Sequence, residues 1–218
     1  MERLICLGIG YVFGLFQTSY IYGKLHGIDI RNYGSGNAGT TNMLRTLGKK
    51  AGLITFFGDC LKCMLALALT RFIYGGVRAE ILPLLTFYTA AGTILGHNYP
   101  FYLGFRGGKG IAATAGLVFS VNWIMAILGT VIFLTTLFTT HYVSLGSLLV
   151  YAGIMVELVV LGQCGYFQMA TPHLLELYTI GLLLTALAFW KHRENIKRLL
   201  KGTENKTYLS SKHHEKEN

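Results

Sequence analysis

The sequence has 218 residues, of which 52% are hydrophobic and only 13% are charged, and its formal net charge is +9. This composition is too apolar for an ordinary soluble domain of the same length, so it excludes that class and predicts a chain that lies in a lipid bilayer. We expect no nucleic-acid partner and no obligatory protein partner.

Apolar runs, taken in chain order, predict the membrane spans. A span needs about 20 mostly apolar residues to cross a hydrocarbon core of about 30 Å. Five segments are predicted to be spans: residues 4–22, 51–72, 81–95, 145–161 and 174–190. The first could instead be a signal peptide, but its apolar run exceeds a typical h-region and no small-x-small cleavage site follows it.

Residues 111–140 form the ambiguous part of this pattern. The stretch contains no Lys, Arg, Asp, Glu or Pro, and as one helix it would be about 45 Å long, which is more than a bilayer requires. We therefore expect two shorter spans, with a break near Asn122 and Trp123.

The placement of basic residues predicts the orientation, because short cytoplasmic loops are enriched in Lys and Arg. The 23–50 loop carries five basic residues, and the tail from Lys191 onward carries eight of the chain's nineteen. Both should face the cytoplasm, so an even number of crossings must separate them. The sequence thus predicts an all-α integral membrane protein with seven transmembrane helices, the N-terminus outside and the C-terminus cytoplasmic. Residues 1–206 would form one domain, and residues 207–218 a polar, disordered cytoplasmic tail.

Three polar, glycine-rich segments meet on one side of the membrane in this topology: residues 23–50, residues 96–110 and the start of the tail. The turn at residues 142–144 joins them and offers Ser144 as a further donor. Irregular backbone is tolerated near a bilayer only where it lines a cavity or meets water. The convergence therefore predicts a site at the cytoplasmic membrane surface.

The first segment, "YGSGNAGTTNMLRTLGKK", combines glycines with short polar side chains. Its candidate residues are Gly34, Ser35, Gly36, Asn37, Gly39, Thr40, Thr41 and Asn42. A helix beginning near Thr41 would place Arg45 one turn on, facing the loop, and the planar guanidinium suits phosphate or carboxylate. The segment predicts an anion site, while a flexible Gly/Ser/Asn loop is the alternative.

The second segment, "GHNYPFYLGFRGGKG", resembles a Walker motif but is not one, because Leu103 replaces its first glycine and Gly110 its hydroxyl residue. Neither a nucleotide nor a metal is implied. Gly107, Gly108 and Gly110 would allow close backbone approach, the next helix would contribute its positive end, and Lys109 would add a point charge. These features favour an anion site, although Lys109 could simply be an interfacial lysine.

The third segment, "KHRENIKRLLKGTENK", has an amphipathic pattern. One face carries His192, Asn195, Ile196 and Leu199, and the solvated face carries Arg193, Glu194, Lys197, Arg198 and Lys201. The polar pair His192 and Asn195 lies among apolar residues and so predicts a ligand or a buried partner. A basic helix on anionic lipid is the alternative, but it does not explain that pair.

Weaker signals lie in the second span. Asp59 and Lys62 are three residues apart and can neutralise each other, as charges inside a membrane usually must. Cys60 and Cys63 form a C-x-x-C without a second pair or a histidine cluster, so neither zinc nor redox chemistry is predicted.

Four ordered motifs resemble those of the bacterial acyl-phosphate:glycerol-3-phosphate acyltransferase family: "GSGNAGTTN", "GHNYPFYLGFRGGKGIAAT", "YVSLG" and "HRENIKRL" followed by "GTE". The resemblance is collinear over residues 23–206. It implies a seven-helix enzyme of the bacterial cytoplasmic membrane that moves a fatty acyl group from acyl phosphate to the 1-hydroxyl of glycerol 3-phosphate. The products would be lysophosphatidic acid and phosphate, in the first step towards phospholipid, with no cofactor.

The chain departs from the family's usual pattern at several positions. Thr40 stands where the family commonly has Ala, Cys63 where it has Gly, and residues 15–17 replace a Ser-Ile-Pro stretch. These differences concern helix packing more than phosphate ligands.

Because acyl phosphate is already activated, we expect direct transfer, in which the enzyme orients the hydroxyl and stabilises developing charge. The expected catalytic residues are Ser35, Arg45, Lys109, His192 and Asn195. The expected substrate-binding residues are Gly34, Ser35, Gly36, Asn37, Thr41, Asn42, Arg45, His97, Gly107, Gly108, Lys109, Gly110, Ser144, His192, Asn195 and Glu204. The general base stays open between His192 and a phosphate oxygen of the substrate.

Two other functions fit parts of the pattern. A transporter of phosphate or a small organophosphate could use the same cations, but polar groups in the spans are few and no internal repeat is visible. A basic membrane anchor would leave the three glycine-rich segments unexplained.

Overall fold

A computed structural model describes residues 1–208 of the chain. This part is all-helical and contains no strand. Its helices, in chain order, are α1 (Glu2–Gly14), α2 (Thr18–Leu25), α3 (Thr40–Tyr74), α4 (Leu82–Asn98), α5 (Ile111–Val121), α6 (Trp123–Thr140), α7 (Val143–Gln163), α8 (Thr171–Lys191) and α9 (Arg193–Leu200). The predicted all-α class is confirmed.

Six helical segments in the described residues are long and apolar enough to cross a membrane. They are Glu2–Leu25, which combines α1 and α2, and Thr40–Tyr74, Ala79–Leu103, Trp123–Thr140, Val143–Gln163 and Thr171–Lys191. Helix α5 is apolar but has only 11 residues, so it is about 16 Å long. The chain is therefore an integral membrane protein in which α5 is a short helix among longer ones.

The predicted break in the 111–140 stretch is confirmed at Asn122. This residue has extended backbone (φ −153°, ψ 128°), and its side-chain oxygen accepts hydrogen bonds from Ile124 N at 2.8 Å and Met125 N at 3.1 Å. Asn122 thus ends α5 and caps α6 with the residue type that suits a helix N-terminus. The exposed Trp123 ring follows at once.

A buried glutamine accommodates the break between α1 and α2. The Gln17 amide nitrogen donates to the carbonyl oxygens of Gly14 at 3.1 Å, Gly96 at 3.3 Å and His97 at 3.1 Å. These bonds satisfy carbonyl groups freed by the break and tie it to the end of α4. The first span is therefore two helices, which the apolar run did not predict.

Helices α1 and α4 pack closely through glycines. A Cβ atom added to Gly10 would lie 1.9 Å from Thr89 O, and one added to Gly92 would lie 2.1 Å from Leu7 O. With Gly14 and Gly96, each helix presents a small-xxx-small pair that lets the two backbones touch. This contact fixes α4, which ends next to the second polar segment.

Helix α3 bends at Gly48, whose φ of 84° and ψ of −176° are not helical. A glycine permits this backbone conformation without a Cβ clash. The bend separates a first part of α3, carrying Thr41 and Arg45, from the apolar span that follows. The part before the bend belongs to the polar end of the molecule.

The described chain has two distinct ends. One end is held by contacts that join the start of α1, the ends of α3 and α5 and the α7–α8 region: Arg3–Glu176 at 2.6 Å, Arg78–Glu2 at 2.9 Å and Tyr166–Val121 at 3.1 Å. The other end gathers the three polar segments. The last residues of α5 lie at the first end, and the loop before its N-terminus leads to the second.

Candidate active site at the polar end of the helical bundle

The loop of the first segment is held by Asn42. Its side chain is 1% exposed, donates to Ile30 O at 3.1 Å and Tyr33 O at 3.0 Å, and accepts from Ser35 N at 3.0 Å. Gly34 has a φ of +56°, and a Cβ there would lie 2.3 Å from the Asn42 oxygen. Asn42 therefore shapes the loop, and its amide donors are already used by backbone carbonyls.

Arg45 contacts the C-terminal segment. Its guanidinium donates to Thr207 Oγ1 at 2.6 Å and to the carbonyl oxygen of Asn205 at 3.0 Å. Thr207 is buried, and its backbone N–H donates to His141 O at 2.8 Å. The sequence predicted that a disordered tail begins at Thr207. Thr207 instead packs against the site, and residues 209–218 lie outside the described residues.

Gly107 and Gly108 of the second segment contact the end of α4 and do not line the polar cavity. Gly107 N donates to Asn98 O at 3.3 Å and Gly108 N donates to His97 O at 3.0 Å. A Cβ on either glycine would lie 2.0 Å from an atom of His97. Their close backbone approach is thus to the end of α4, whose carbonyl oxygens accept from both N–H groups.

Lys109 points into the site from the start of α5. Its ammonium donates to the side-chain oxygen of Asn195. Burial, opposed by Glu204 and aided by Arg198 and Lys191, lowers the Lys109 pKa to about 8. Gly110 precedes the helix with a φ of +85°, where an L side chain would be strained. Lys109 therefore places a desolvated cation near the positive end of α5.

The loop of the second segment enters the helical bundle. The Thr114 hydroxyl, on the first turn of α5, is 2.6 Å from the Tyr151 hydroxyl, and Tyr151 is eight residues into α7, or about 12 Å from its start. Helix α5 is short because the loop before it enters the bundle. Irregular backbone at such depth is tolerated where it lines a polar cavity.

His192 joins α8 to α9 and is 3% exposed. Its Nδ1 lies 2.8 Å from Ala188 O, and since a carbonyl only accepts, Nδ1 carries the hydrogen and Nε2 keeps its lone pair. Burial, followed by the charge of Lys109, lowers the His192 pKa to about 4. His192 is thus neutral at ordinary pH, with a free acceptor nitrogen.

Glu204 connects α9 with the α6–α7 turn. Its carboxylate accepts from Asn195 Nδ2 at 2.7 Å, Ser144 Oγ at 3.1 Å and Arg198 Nε at 2.8 Å. Two of these donors were predicted site residues, but Arg198 was expected on the solvated face of α9. Its side chain is 38% exposed and also reaches the site, because the chain turns back after α9 and brings Glu204 to this guanidinium.

The ion pair predicted between Asp59 and Lys62 is confirmed at 2.8 Å, with both side chains almost fully buried. Lys62 Nζ also donates to Phe16 O at 2.6 Å and lies 2.9 Å from His97 Nδ1. An ammonium only donates, so His97 Nδ1 accepts and Nε2 carries the hydrogen. The pair therefore extends to a histidine that borders the site.

A polar cavity of about 180 Å³ lies between these groups. The predicted site residues that line it are Ser35, Asn37, Thr41, Asn42, Arg45, His97, Lys109, Gly110, Ser144, His192, Asn195 and Glu204. Gly34, Gly36, Gly107 and Gly108 do not line it, because these glycines shape the loops behind it. Asp59, Ser147 and Arg198 line the cavity and were not predicted as site residues.

A second, apolar cavity of about 580 Å³ adjoins the polar one. It runs between α3, α5, α6 and α7. Both cavities are bordered by Thr40, Thr41, Phe56, Ile111, Phe133 and Val143. The site therefore combines a small cation-lined compartment with a larger apolar one, a shape suited to a ligand with an anionic head and a long apolar chain.

Among the described residues, no group of three or more His, Cys, Asp and Glu side chains is placed to hold a metal ion. The two cysteines of the C-x-x-C, Cys60 and Cys63, are buried free thiols.

The chain is similar to known proteins over nearly its whole length. A family model described as glycerol-3-phosphate acyltransferase matches residues 4–202. A glycerol-3-phosphate acyltransferase of Clostridioides difficile is 41% identical over 204 residues, covering 93% of this chain and 94% of that protein. One of Alkaliphilus metalliredigens is 41% identical over 208 residues, covering 94% and 96%.

Two crystal structures of PlsY, an integral membrane glycerol 3-phosphate acyltransferase, have the same fold. The glycerol 3-phosphate form has a TM-score of 0.82 and 33% identity, covering 95% of this chain and 96% of that one. The lysophosphatidic acid form has a TM-score of 0.80 and 32% identity, covering 96% and 97%. The chain thus belongs to the glycerol-3-phosphate acyltransferase family and is a membrane acyltransferase.

Proposed function

We propose that the protein transfers a fatty acyl group from acyl phosphate to the 1-hydroxyl of sn-glycerol 3-phosphate. The products are lysophosphatidic acid and phosphate, which makes this the first step of phospholipid synthesis. The observation that carries the proposal is the junction of a cation-lined polar cavity with an apolar cavity of about 580 Å³. Glycerol 3-phosphate and lysophosphatidic acid, named for the two PlsY forms, have the matching chemistry.

The polar cavity binds the phosphate groups. Arg45 offers a planar fork of donors and Lys109 a point charge, and Ser35, Asn37 and Thr41 add short donors at the same wall. Arg45 now donates to Thr207 Oγ1 and Asn205 O, and a phosphate oxygen takes the place of these neutral acceptors. A dianion is the stronger partner for a guanidinium.

The acceptor hydroxyl lies between His192 and Asn195. Its oxygen forms a bond to the acyl carbonyl carbon, the bond from that carbon to the phosphate oxygen breaks, and phosphate leaves. The hydroxyl proton goes to a phosphate oxygen, since the second pKa of a phosphate ester is about 6 and burial holds the His192 pKa at about 4. His192 Nε2 accepts the hydroxyl's hydrogen bond first and so orients it.

The fatty chain lies in the apolar cavity, with its carbonyl at the shared border near Thr41, Phe56 and Ile111. Burial of the chain holds the reacting carbon against the polar cavity. The enzyme needs no nucleophile of its own because acyl phosphate has a stable leaving group.

The protein crosses the bacterial cytoplasmic membrane seven times, with the N-terminus outside and the site on the cytoplasmic side. Two facts support this topology. Helix α5, with 11 residues, and the loop before it together join the two ends of the bundle. The loops and tail at the polar end carry most of the basic residues, in accordance with the positive-inside rule.

Release of phosphate by the purified protein in detergent tests the reaction. With palmitoyl phosphate, release should depend on glycerol 3-phosphate and should be lost in Lys109→Ala. No acceptor-dependent release with any acyl chain would overturn the proposal. Membership of an acyltransferase family argues against the transporter alternative, and uptake of labelled phosphate into sealed vesicles would be its direct test.

A further inference from the structure

The apolar cavity ends on a packed floor. Val118, Ala126 and Ile154 line the cavity, and together with Met125 they form a cluster in which no side chain is more than 8% exposed. These residues come from α5, α6 and α7, far from the polar cavity. A chain that reaches this cluster can go no deeper without displacing buried side chains.

The positions of lining residues along α6 give the distance from the polar end of the cavity to its floor. Leu137 and Ala126 both line the cavity, and they are eleven residues apart, which is about 16 Å along the helix. An extended carbon chain advances about 1.2 Å per bond, so roughly 13 carbon atoms fit between these levels. Val143, which follows the end of α6, also lines the cavity, so the cavity extends past Leu137 and has the depth of a long fatty acyl chain.

Gly129 lies one turn above the floor on the same helix and also lines the cavity. A Cβ atom added there would meet Val150 Cγ1 at 3.9 Å, and no other atom within 4 Å. This is an ordinary contact, so the helix tolerates a side chain at this position. The space beside Gly129 exists because the residue has no side chain to fill it.

We infer that Gly129 and the floor formed by Val118, Ala126 and Ile154 set the longest acyl chain that the protein accepts. The inference rests on the proposed function, since it assigns the apolar cavity to the fatty chain. A larger side chain at position 129 raises the effective floor by one helical turn, and a smaller side chain at position 154 lowers it. Methylene groups beyond the floor must bend back or stay outside the cavity.

The test compares kcat/KM for decanoyl and palmitoyl phosphate in full-length protein in detergent. In Gly129→Leu the palmitoyl-to-decanoyl ratio should fall by about tenfold or more, the scale on which apolar pockets reject an excess methylene or two. Gly8→Leu is the matched control, because a Cβ at Gly8 meets no atom within 4 Å and the residue lies on the exposed face of α1. Its ratio should equal that of the wild type.

Ile154→Ala tests the opposite change, a deeper floor that accepts longer acyl chains. Its stearoyl-to-palmitoyl ratio should rise several-fold over the wild-type ratio, because deletion of a buried side chain opens space at the floor. Ratios equal to wild type in Gly129→Leu, or in Ile154→Ala, overturn the inference and leave the proposed reaction intact. A wild-type protein inactive with every acyl phosphate overturns the proposed reaction itself.

Discussion

Two buried histidines border the polar cavity with opposite tautomers. His192 donates from Nδ1 to Ala188 O and keeps a lone pair on Nε2, whereas His97 accepts at Nδ1 from Lys62 and carries its hydrogen on Nε2. One ring therefore offers an acceptor and the other a donor. The partner of Nδ1 decides which nitrogen carries the hydrogen: a carbonyl of α8 for His192 and the ammonium of Lys62 on α3 for His97.

The pH dependence of His192→Gln checks the assignment of the proton acceptor. Because the His192 pKa is about 4, its protonation gives no acidic limb between pH 5 and pH 7, and a limb near the phosphate pKa of about 6 belongs to the substrate. We expect the variant to have a lower kcat with that limb unmoved. If the limb disappears in the variant, His192 is the general base.

Lys109 gives a second pH prediction. Its pKa is lowered to about 8, so the charged form, which binds phosphate, predominates below pH 8 and is lost as the pH rises through that value. The kcat/KM for glycerol 3-phosphate, which reports the free enzyme, should fall above about pH 8. In Lys109→Arg the fall should move upward, because a guanidinium stays protonated.

Lys201→Arg is the control for that measurement, since Lys201 is exposed at the end of α9. An alkaline fall that is the same in Lys109→Arg and in the wild type would assign it to another group.

At the level of elements, close backbone contact between α1 and α4 determines where the second polar segment begins. Gly10→Ala should destabilise the protein by about 1–3 kcal/mol, the usual cost of overpacking, because its Cβ would lie 1.9 Å from Thr89 O. Gly8→Ala, two residues earlier on α1, should be neutral. Thermal unfolding in detergent measures both, and equal midpoints for the two variants would contradict this account of the packing.

The helices contain breaks and bends, of which the sequence pattern predicted only one. The break at Asn122 followed from length, since one helix over residues 111–140 would be too long for a bilayer. The break before Thr18 was not predicted, because apolar composition continues through it. The bend at Gly48 was not predicted either, because it lies in residues 23–50, which were expected to be a loop. They depend on the Gln17 bonds to α4 and on a backbone conformation that only a glycine adopts easily.

For the whole molecule, the proposed topology predicts a labelling pattern in intact bacterial cells. Cys164 is the exposed cysteine among the four free ones and lies in the α7–α8 connection, so a membrane-impermeant maleimide should label it from outside. In a Cys164→Ser background, Lys24→Cys and Lys201→Cys should be labelled only after permeabilisation.

A protein with six crossings would give a different pattern in the same experiment. If α5 did not cross, Lys24→Cys and Lys201→Cys would lie on opposite sides, and one of them would be labelled in intact cells. Protection of both, together with labelling of Cys164, requires the seventh crossing.

By itself, the sequence determined the membrane class, the helical architecture, the break at Asn122 and most of the polar residues that line the polar cavity. Those properties depend on local signals: apolar run length, helical period and short polar motifs. The tertiary structure alone decided the tautomers of His97 and His192, the position of Arg198 over Glu204 and the apolar cavity with its floor. Each of these depends on groups distant in the chain, such as Arg45 and Thr207, which are 162 residues apart, and a cavity exists only where packed helices leave space.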